Sequence, residues 1–196
     1  MRTTWRWPRD HDEGDLIVSE MDEVIPALVA AVQEQHATGD HYRDDAIRQA
    51  MEHQAQLALR PGPVRVDVIV DPPWSDGQIN SVQVVTGDRP FLVDTVASCL
   101  LRHGWRVEDV RHPIIGVKRD RGTIEAVGMP GRGGCASESW IHIDATAPLG
   151  TDIGQAAEQL RDDLCACLDQ VVCATDDWGA MHEAMLRTAE LVSASS

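Results

Sequence analysis

The residues best suited to ligand binding lie in the turn Thr86–Phe91, whose sequence is Thr-Gly-Asp-Arg-Pro-Phe. A β-branched stretch precedes this turn and an apolar pattern with helical spacing follows it, which predicts a strand joined to a helix. Pro90 suits the first helical position, and Asp88 places a carboxylate beside the unpaired N–H groups of that helix start. Because such N–H groups attract negative charge, the turn is a candidate binding site. Its candidate residues are Thr86, Gly87, Asp88, Arg89 and Phe91.

A second group of chemically capable residues consists of His112 together with Glu138, Trp140 and His142 from one predicted strand. The strand alternates, so Trp140 and His142 lie on one face and two isoleucines lie on the other. A histidine and a glutamate can act together as general base and acid. The alternative is a structural histidine whose hydrogen bonds are satisfied within the fold. Because both faces carry bulky groups, we expect N-terminal helices, a second copy or further chain to cover the second face.

The remaining patterns predict neither a cofactor site nor a metal site. The glycines of residues 128–134 are spaced as in a phosphate-binding loop, but Gly134-Cys135 stands where that motif needs Lys-Ser or Lys-Thr. No Gly-x-Gly-x-x-Gly follows a predicted strand and opens a helix. The five cysteines form no Cys-x-x-Cys pair, and the eight histidines lack metal-ligand spacing on one helix. We therefore expect reduced thiols, no metal and no cofactor in this chain.

The charge balance restricts the partners of the protein. There are 17 Lys and Arg residues against 32 Asp and Glu residues, a formal net charge of -15. This excess repels phosphate backbones and anionic lipid headgroups, so neither nucleic acid nor membrane is an expected partner. No apolar run approaches membrane-spanning length, and the N-terminal residues lack the apolar core of a signal peptide. The chain is predicted to be cytoplasmic.

The order of elements predicts the fold class. Helical patterns run from about Leu16 to His36 and from about Asp40 to Leu59, and Arg60-Pro61-Gly62-Pro63 ends the second helix. The following pattern is strand, strand, helix, three strands and two helices, which is close to a ferredoxin-like unit. We predict an α+β fold in which an antiparallel sheet with helices on one face is preceded by an N-terminal helical hairpin. The predicted domains are 1–60 and 61–196.

Two residues mark where elements should end or bend. Gly104 follows the helical pattern after the turn and permits a left-handed exit from the helix. The extended stretch Trp105–Lys118 contains Pro113, which cannot donate a ladder hydrogen bond. We therefore expect an edge position or a bulge at Pro113 rather than an unbroken central strand.

The stretch Asp88–Val93, with the sequence Asp-Arg-Pro-Phe-Leu-Val, resembles the Asp-Arg-Pro-Gly-Leu-Leu opening of ACT domains, small ferredoxin-like regulatory modules. The chain more closely resembles the N-terminal ACT-like region of the large bacterial NAD-specific glutamate dehydrogenases. This resemblance extends from about Arg60 to Val192. Four further landmarks carry it: Val64–Pro72, His112-Pro113 with Arg119-Asp120, Glu138–Ile143, and Asp177-Trp178 with Met181.

The resemblance implies a non-catalytic regulatory and assembly module. The full-length enzymes convert L-glutamate, NAD and water to 2-oxoglutarate, ammonium and NADH in a dehydrogenase domain downstream of the ACT-like region. This chain alone is therefore not expected to be an enzyme, and NAD is a cofactor of the parent protein only. The implied partners are the downstream catalytic region or a second copy of the chain, together with a small amino-acid effector.

The resemblance also bears on the turn. ACT domains often receive a small amino acid there, and glycine at the fourth motif position lets the ligand approach the backbone. Phe91 occupies that position in this chain. Because it falls on the Thr95 side of its helix, away from Leu92, it is expected to point outward and to contact a partner surface.

The alternative function is a free-standing ACT-like protein that senses an amino acid or another small molecule through dimerisation.

Overall fold

The computed structural model describes residues 16–17, 21–35, 44–75, 77–177, 180–181 and 183–188. The landmark Trp178 and the end of the resemblance at Val192 lie outside these residues. A further helical segment covers 180–181 and 183–188. The elements in chain order are β1 (Leu16–Ile17), α1 (Met21–Gln35), α2 (Asp44–Ala58), β2 (Val64–Ile69), β3 (Asn80–Gly87), α3 (Leu92–Arg102), β4 (Arg106–Arg111), β5 (Ile114–Asp120), β6 (Thr123–Gly128), β7 (Ala136–Thr146) and α4 (Ile153–Thr175).

The strands form one antiparallel sheet with β7 near its centre. One edge of β7 pairs with β3, which in turn pairs with β2. The other edge pairs with β4 and β5, and β6 and then β1 extend the sheet beyond β5. The two-residue strand β1 corrects the prediction that a helix begins at Leu16, because pairing with β6 outweighs the local helical pattern there.

The strands β4 and β5 are two halves of one bent strand. Arg111 pairs with His142 and Ile114 pairs with Ser139, so the register along β7 is the same on both sides of the bend. At the bend the Trp140 N–H donates to the Pro113 carbonyl at 3.0 Å. The bend thus lies where proline interrupts the ladder, as the sequence predicts.

The topology is α+β and ACT-like, which confirms the predicted fold class. In the ferredoxin-like pattern, the strand that follows the second helix lies at the sheet edge beside the first strand. Here β2 occupies that edge, although it precedes β3 in the chain. The helices α3 and α4 pack against each other, and α4 also packs on β2.

Each face of the sheet has its own apolar core. The α3–α4 face is closed by side chains of α3, α4 and the inner strands, including Leu92, Val96, Leu160, Leu164 and Ile141. The α1–α2 face is closed by the two N-terminal helices over Val85, Ile115, Trp140 and others. The N-terminal helices are therefore the cover that the sequence predicts for the second face.

The start of α3 differs from the prediction, whereas its end agrees. The helix begins at Leu92 rather than Pro90, and its N-cap is Phe91, which has φ 71° and makes no side-chain capping hydrogen bond. Asp88 therefore does not cap the helix. Gly104 has φ 75°, which confirms the left-handed exit, and the Trp105 N–H donates to the Leu100 carbonyl at 2.9 Å.

Candidate functional site

The turn after β3 is held by a chain of three polar side chains. The Ser139 hydroxyl donates to Asp88 Oδ1 at 2.6 Å, and His112 Nε2 lies 3.0 Å from the same hydroxyl oxygen. The Asp88 N–H donates to the Ser137 carbonyl at 2.8 Å, which extends the pairing of β3 with β7 by one step. His112 thus joins the residues of the turn and not Glu138 or His142.

The order of these contacts does not make a hydrolytic triad. In a Ser-His-Asp triad the histidine accepts the hydroxyl proton and the carboxylate orients the histidine. Here the hydroxyl proton goes to Asp88, so His112 Nε2 is assigned as the donor to Ser139 and cannot act as its base. Burial lowers the pKa of His112, and the charge of Asp88 opposes this shift. The arrangement fastens the turn to the bend of β4 and β5.

Arg89 fastens the same turn to the end of α4. Its Nη1 lies 3.2 Å from the Val172 carbonyl, 3.3 Å from Thr175 Oγ1 and 3.1 Å from Asp176 Oδ1. A cation at the C-terminus of a helix satisfies carbonyls that lack helical partners and complements the helix dipole. The arginine of the turn therefore serves as a cap for α4.

The other predicted residues of the turn differ in exposure. Thr86 is buried, and its Oγ1 has no hydrogen-bond partner within the described part of the chain. Gly87 ends β3, and a Cβ placed there would lie 3.5 Å from Arg89 Nη2. Phe91 is 58% exposed, which confirms its predicted outward position. Its φ of 71° is a conformation in which glycine is unstrained, which explains why glycine suits this motif position.

Glu138 and Trp140 belong to a different environment on the α1–α2 face. Arg119 binds Glu138 with two hydrogen bonds, from Nε at 2.6 Å and from Nη2 at 3.0 Å. Arg119 Nη1 also donates to the Gly122 carbonyl at 3.1 Å. The Trp140 indole N–H donates to Glu138 Oε2 at 3.4 Å. Glu138 is thus fully engaged in a buried ion pair and is not free to transfer protons with His142.

His142 is the centre of a polar network between α2 and the sheet. Its Nδ1 lies 3.1 Å from Gln83 Nε2, and its Nε2 lies 3.1 Å from Asp144 Oδ1. Gln83 also donates to the Ala50 carbonyl of α2 at 2.9 Å, and its Oε1 lies 2.8 Å from His53 Nδ1. Arg111 binds the other oxygen of Asp144.

The directions of these bonds fix the protonation of His142. The amide nitrogen of Gln83 can only donate, so His142 Nδ1 accepts and Nε2 carries the proton given to Asp144. The histidine is therefore neutral. Burial lowers the pKa of His142, and the nearby charge of Arg111 adds to this shift, whereas Asp144 and Asp109 oppose it. A neutral histidine with both nitrogens satisfied matches the structural role that the sequence left as an alternative to acid–base chemistry.

The sequence analysis did not predict the side-chain contacts that connect these groups. Each of four residues contacts a side chain that is distant in the sequence: Ser139 contacts Asp88, Gln83 contacts His142, Asp144 contacts Arg111 and Arg119 contacts Glu138. The available signal was a polar residue among β-branched neighbours, as at Gln83. That signal does not identify a partner until the register of the strands is known.

The described residues contain neither a cluster suited to metal binding nor a helix suited to spanning a membrane. No cluster of three or more His, Cys, Asp or Glu side chains within the described ranges could hold a metal ion. None of the five cysteines forms a disulfide within the described residues, and Cys99 and Cys135 are buried. No helix in the part of the chain described is both long and apolar enough to span a membrane.

Comparison with known proteins identifies the family of the fold. The family model described as glutamate dehydrogenase, ACT1 domain, matches residues 27–164, which is more than half of the chain. The match covers both groups of candidate residues. A comparison with curated proteins found no match.

Proposed function

The chain belongs to the glutamate dehydrogenase ACT1 domain family, and from that premise we propose that it is a non-catalytic regulatory and assembly module of an NAD-specific glutamate dehydrogenase. The observation that carries the proposal is the family match over residues 27–164. It extends from within α1 to the middle of α4 and includes most residues of both apolar cores. NAD and glutamate would be bound by the parent enzyme and not by this chain.

The roles of the candidate side chains support a module that positions a partner rather than one that turns over a substrate. Asp88 holds Ser139, Arg89 caps α4, and Glu138 holds Arg119. In each case the charged or polar group is engaged with a neighbouring element. Such groups are suited to maintaining a rigid surface.

The exposed part of the turn supports a role in assembly. Phe91 is largely exposed at the start of α3, while Arg89 two residues earlier is tied to α4. A large apolar side chain on a firmly held turn is typical of a contact surface. The proposed partner is the downstream catalytic region or a second copy of the chain.

The first test is catalytic. The purified chain, incubated with L-glutamate and NAD, should produce no NADH above a blank without glutamate. An authentic NAD-specific glutamate dehydrogenase added to the same mixture should restore the signal and so exclude inhibition. Glutamate-dependent NADH formation that stays with the chain through a second purification would overturn the proposal.

The second test separates an assembly module from the alternative sensor. Sedimentation of the chain should reveal an association state that Phe91→Ala weakens and that amino acids do not change. Dimerisation that requires an added amino acid would instead favour a free-standing sensor. Thermal unfolding of the same variant checks that the monomer remains folded.

A further inference from the structure

The proposed function leaves unexplained a pair of cysteines between α3 and α4. Cys99 lies on α3 and is 1% exposed, whereas Cys167 lies on α4 and is half-buried. Arg102 follows Cys99 by one helical turn, and its Nη2 lies 3.5 Å from the Cys99 sulfur and 3.4 Å from the Cys167 sulfur. Since one nitrogen contacts both sulfurs, the packing of α3 on α4 brings together two thiols that are distant in the chain.

The two thiols also contact each other. The side chain of Cys99 forms a hydrogen bond with the side chain of Cys167. Burial first, and Cys167 second, raise the pKa of Cys99 to about 11, whereas the charge of Arg102 opposes this shift. Cys99 is therefore a protonated thiol near neutral pH. It is shielded from solvent but lies within hydrogen-bond contact of a more exposed sulfur.

We propose that Cys99 and Cys167 form a modification site, which a hydroperoxide oxidises to a disulfide between α3 and α4. Two cysteines can be bridged only where their side chains approach and point towards each other. The hydrogen bond between these two thiols and their shared contact with Arg102 meet that condition. The inference goes beyond the proposed function and does not depend on it, because it concerns the α3–α4 interface and not the family of the parent enzyme.

The oxidation begins at Cys167, because it is the more exposed thiol of the pair. The thiolate sulfur of Cys167 attacks one oxygen of hydrogen peroxide and the O–O bond breaks, which leaves a sulfenic acid on Cys167. The departing hydroxide takes up the proton that Cys167 released and becomes water. The guanidinium of Arg102 holds a positive charge against the sulfur during this attack.

The second step joins the two helices. The sulfur of Cys99 attacks the sulfur of Cys167, the S–O bond breaks, and the hydroxyl group leaves with the proton of Cys99 as water. The two thiols together lose two electrons and two protons, and the peroxide is reduced to two molecules of water. A thiol such as dithiothreitol reverses the modification by exchange with the disulfide.

Mass spectrometry of the wild-type chain treated with hydrogen peroxide tests this site. The folded chain is oxidised, its remaining thiols are blocked by alkylation, and it is digested with trypsin without reduction. The tryptic peptide that contains Cys167 also contains Cys165 and Cys173, so fragmentation of the linked peptides must assign the pair. We expect a dominant link between Cys99 and Cys167 that disappears when dithiothreitol is added before alkylation.

Substitutions on α4 provide the matched comparison. Cys167→Ser should abolish the link from Cys99, whereas Cys165→Ser should keep it at the wild-type yield. Cys165 is the control because it is also half-buried on α4, while its position two residues away places its side chain on a different side of the helix.

Two results would overturn the proposal. One is a wild-type chain in which peroxide has oxidised the exposed Cys173 but has produced no link between Cys99 and Cys167. The other is a link from Cys99 that keeps its wild-type yield in Cys167→Ser, since Cys99 would then pair with another thiol. If Cys167→Ser does not fold, the pair assigned in the wild-type chain decides the question by itself.

Discussion

The two faces of the sheet are covered by helices but are closed by different interactions. On the α3–α4 face the buried side chains are predominantly apolar and come from α3, α4, β2, β3 and β7. The α1–α2 face contains an apolar core as well, but buried polar groups lie beside it: Gln54, Arg65, Gln83, Glu138, His142 and Asp144. The helices on the α3–α4 face are thus held mainly by apolar packing. Those on the α1–α2 face are held by apolar packing and by directional hydrogen bonds.

The hydrogen bonds on the α1–α2 face determine the position of the N-terminal helix α2 on the sheet. Apolar packing tolerates small shifts, whereas a buried hydrogen bond must keep its distance and angle or leave an unsatisfied group. Gln54 of α2 donates to the Ile141 carbonyl at 2.9 Å and to the Val84 carbonyl at 3.3 Å. Together with the bond from Gln83 to the Ala50 carbonyl, this defines where α2 sits on the sheet. Whether residues 1–60 form a separate domain stays a prediction.

The largest effect should come from a cavity on the α3–α4 face. Leu92 is 2% exposed in the core of that face. Leu92→Ala should lower the free energy of unfolding by about 2–5 kcal/mol, because it removes buried methyl groups and leaves a cavity. Denaturant unfolding followed by circular dichroism measures the loss.

The neighbouring position provides the control for that cavity. Phe91→Ala should cost far less than Leu92→Ala, since Phe91 is largely exposed. Equal losses in the two variants would mean that Phe91 contributes to the core, and its assignment to a contact surface would be wrong.

A smaller effect is expected from breaking the hydrogen-bond network on the α1–α2 face. Gln83→Leu keeps an apolar side chain of similar size but removes the bonds to Ala50, His53 and His142. Leaving buried polar groups unsatisfied costs about 1–3 kcal/mol. Hydrogen exchange should show that α2 loses protection while α4 keeps it. Gln56→Leu, at an exposed position of α2, is the matched control, and equal loss of protection in α2 and α4 would contradict the separate roles of the two faces.

Local signals in the sequence predicted the elements around the α3–α4 face well. The strand before the turn, the helix exit at Gly104 and the bend at Pro113 all follow from residues close in the chain. The start of α3 was predicted two residues early. Asp88 has the chemistry of a helix cap, but a hydrogen bond from Ser139, 51 residues away, takes its carboxylate instead.

The α1–α2 face could be predicted only in outline. The alternation around Trp140 and His142 predicted that something covers this face, and α1 and α2 do so. The network itself depends on register, because Gln83 pairs with His142 across β3 and β7. If one of these strands shifted by one residue, its side chain would lie on the other face and the contact would be lost, and no local pattern excludes such a shift. The pairing of Arg119 with Glu138 could not be predicted for the same reason.

The smallest predicted effect concerns His142. It should make the stability contributed by the α1–α2 face depend on pH. Its pKa lies below the ordinary 6.5, first because burial disfavours the charged ring. Between that lowered pKa and 6.5 the unfolded chain binds more protons than the folded chain, so the free energy of unfolding rises with pH in this interval. Stability should therefore be fully present above pH 6.5 and should fall as the solution is acidified below it.

Protonation would also place a second N–H on Nδ1 against the amide nitrogen of Gln83, which can only donate. His142→Gln can keep a donor to Asp144 and an acceptor for Gln83 but cannot take up a proton. Denaturant unfolding across this pH range should thus show a shallower slope in His142→Gln. His112, whose pKa burial also lowers, contributes to the slope that remains. His103→Gln, which removes the ring bound to Asp163 beside α3 and α4, should keep the contribution of His142. Equal slopes in the wild-type chain and in His142→Gln would show that the neutral histidine is not what stabilises the α1–α2 face near neutral pH.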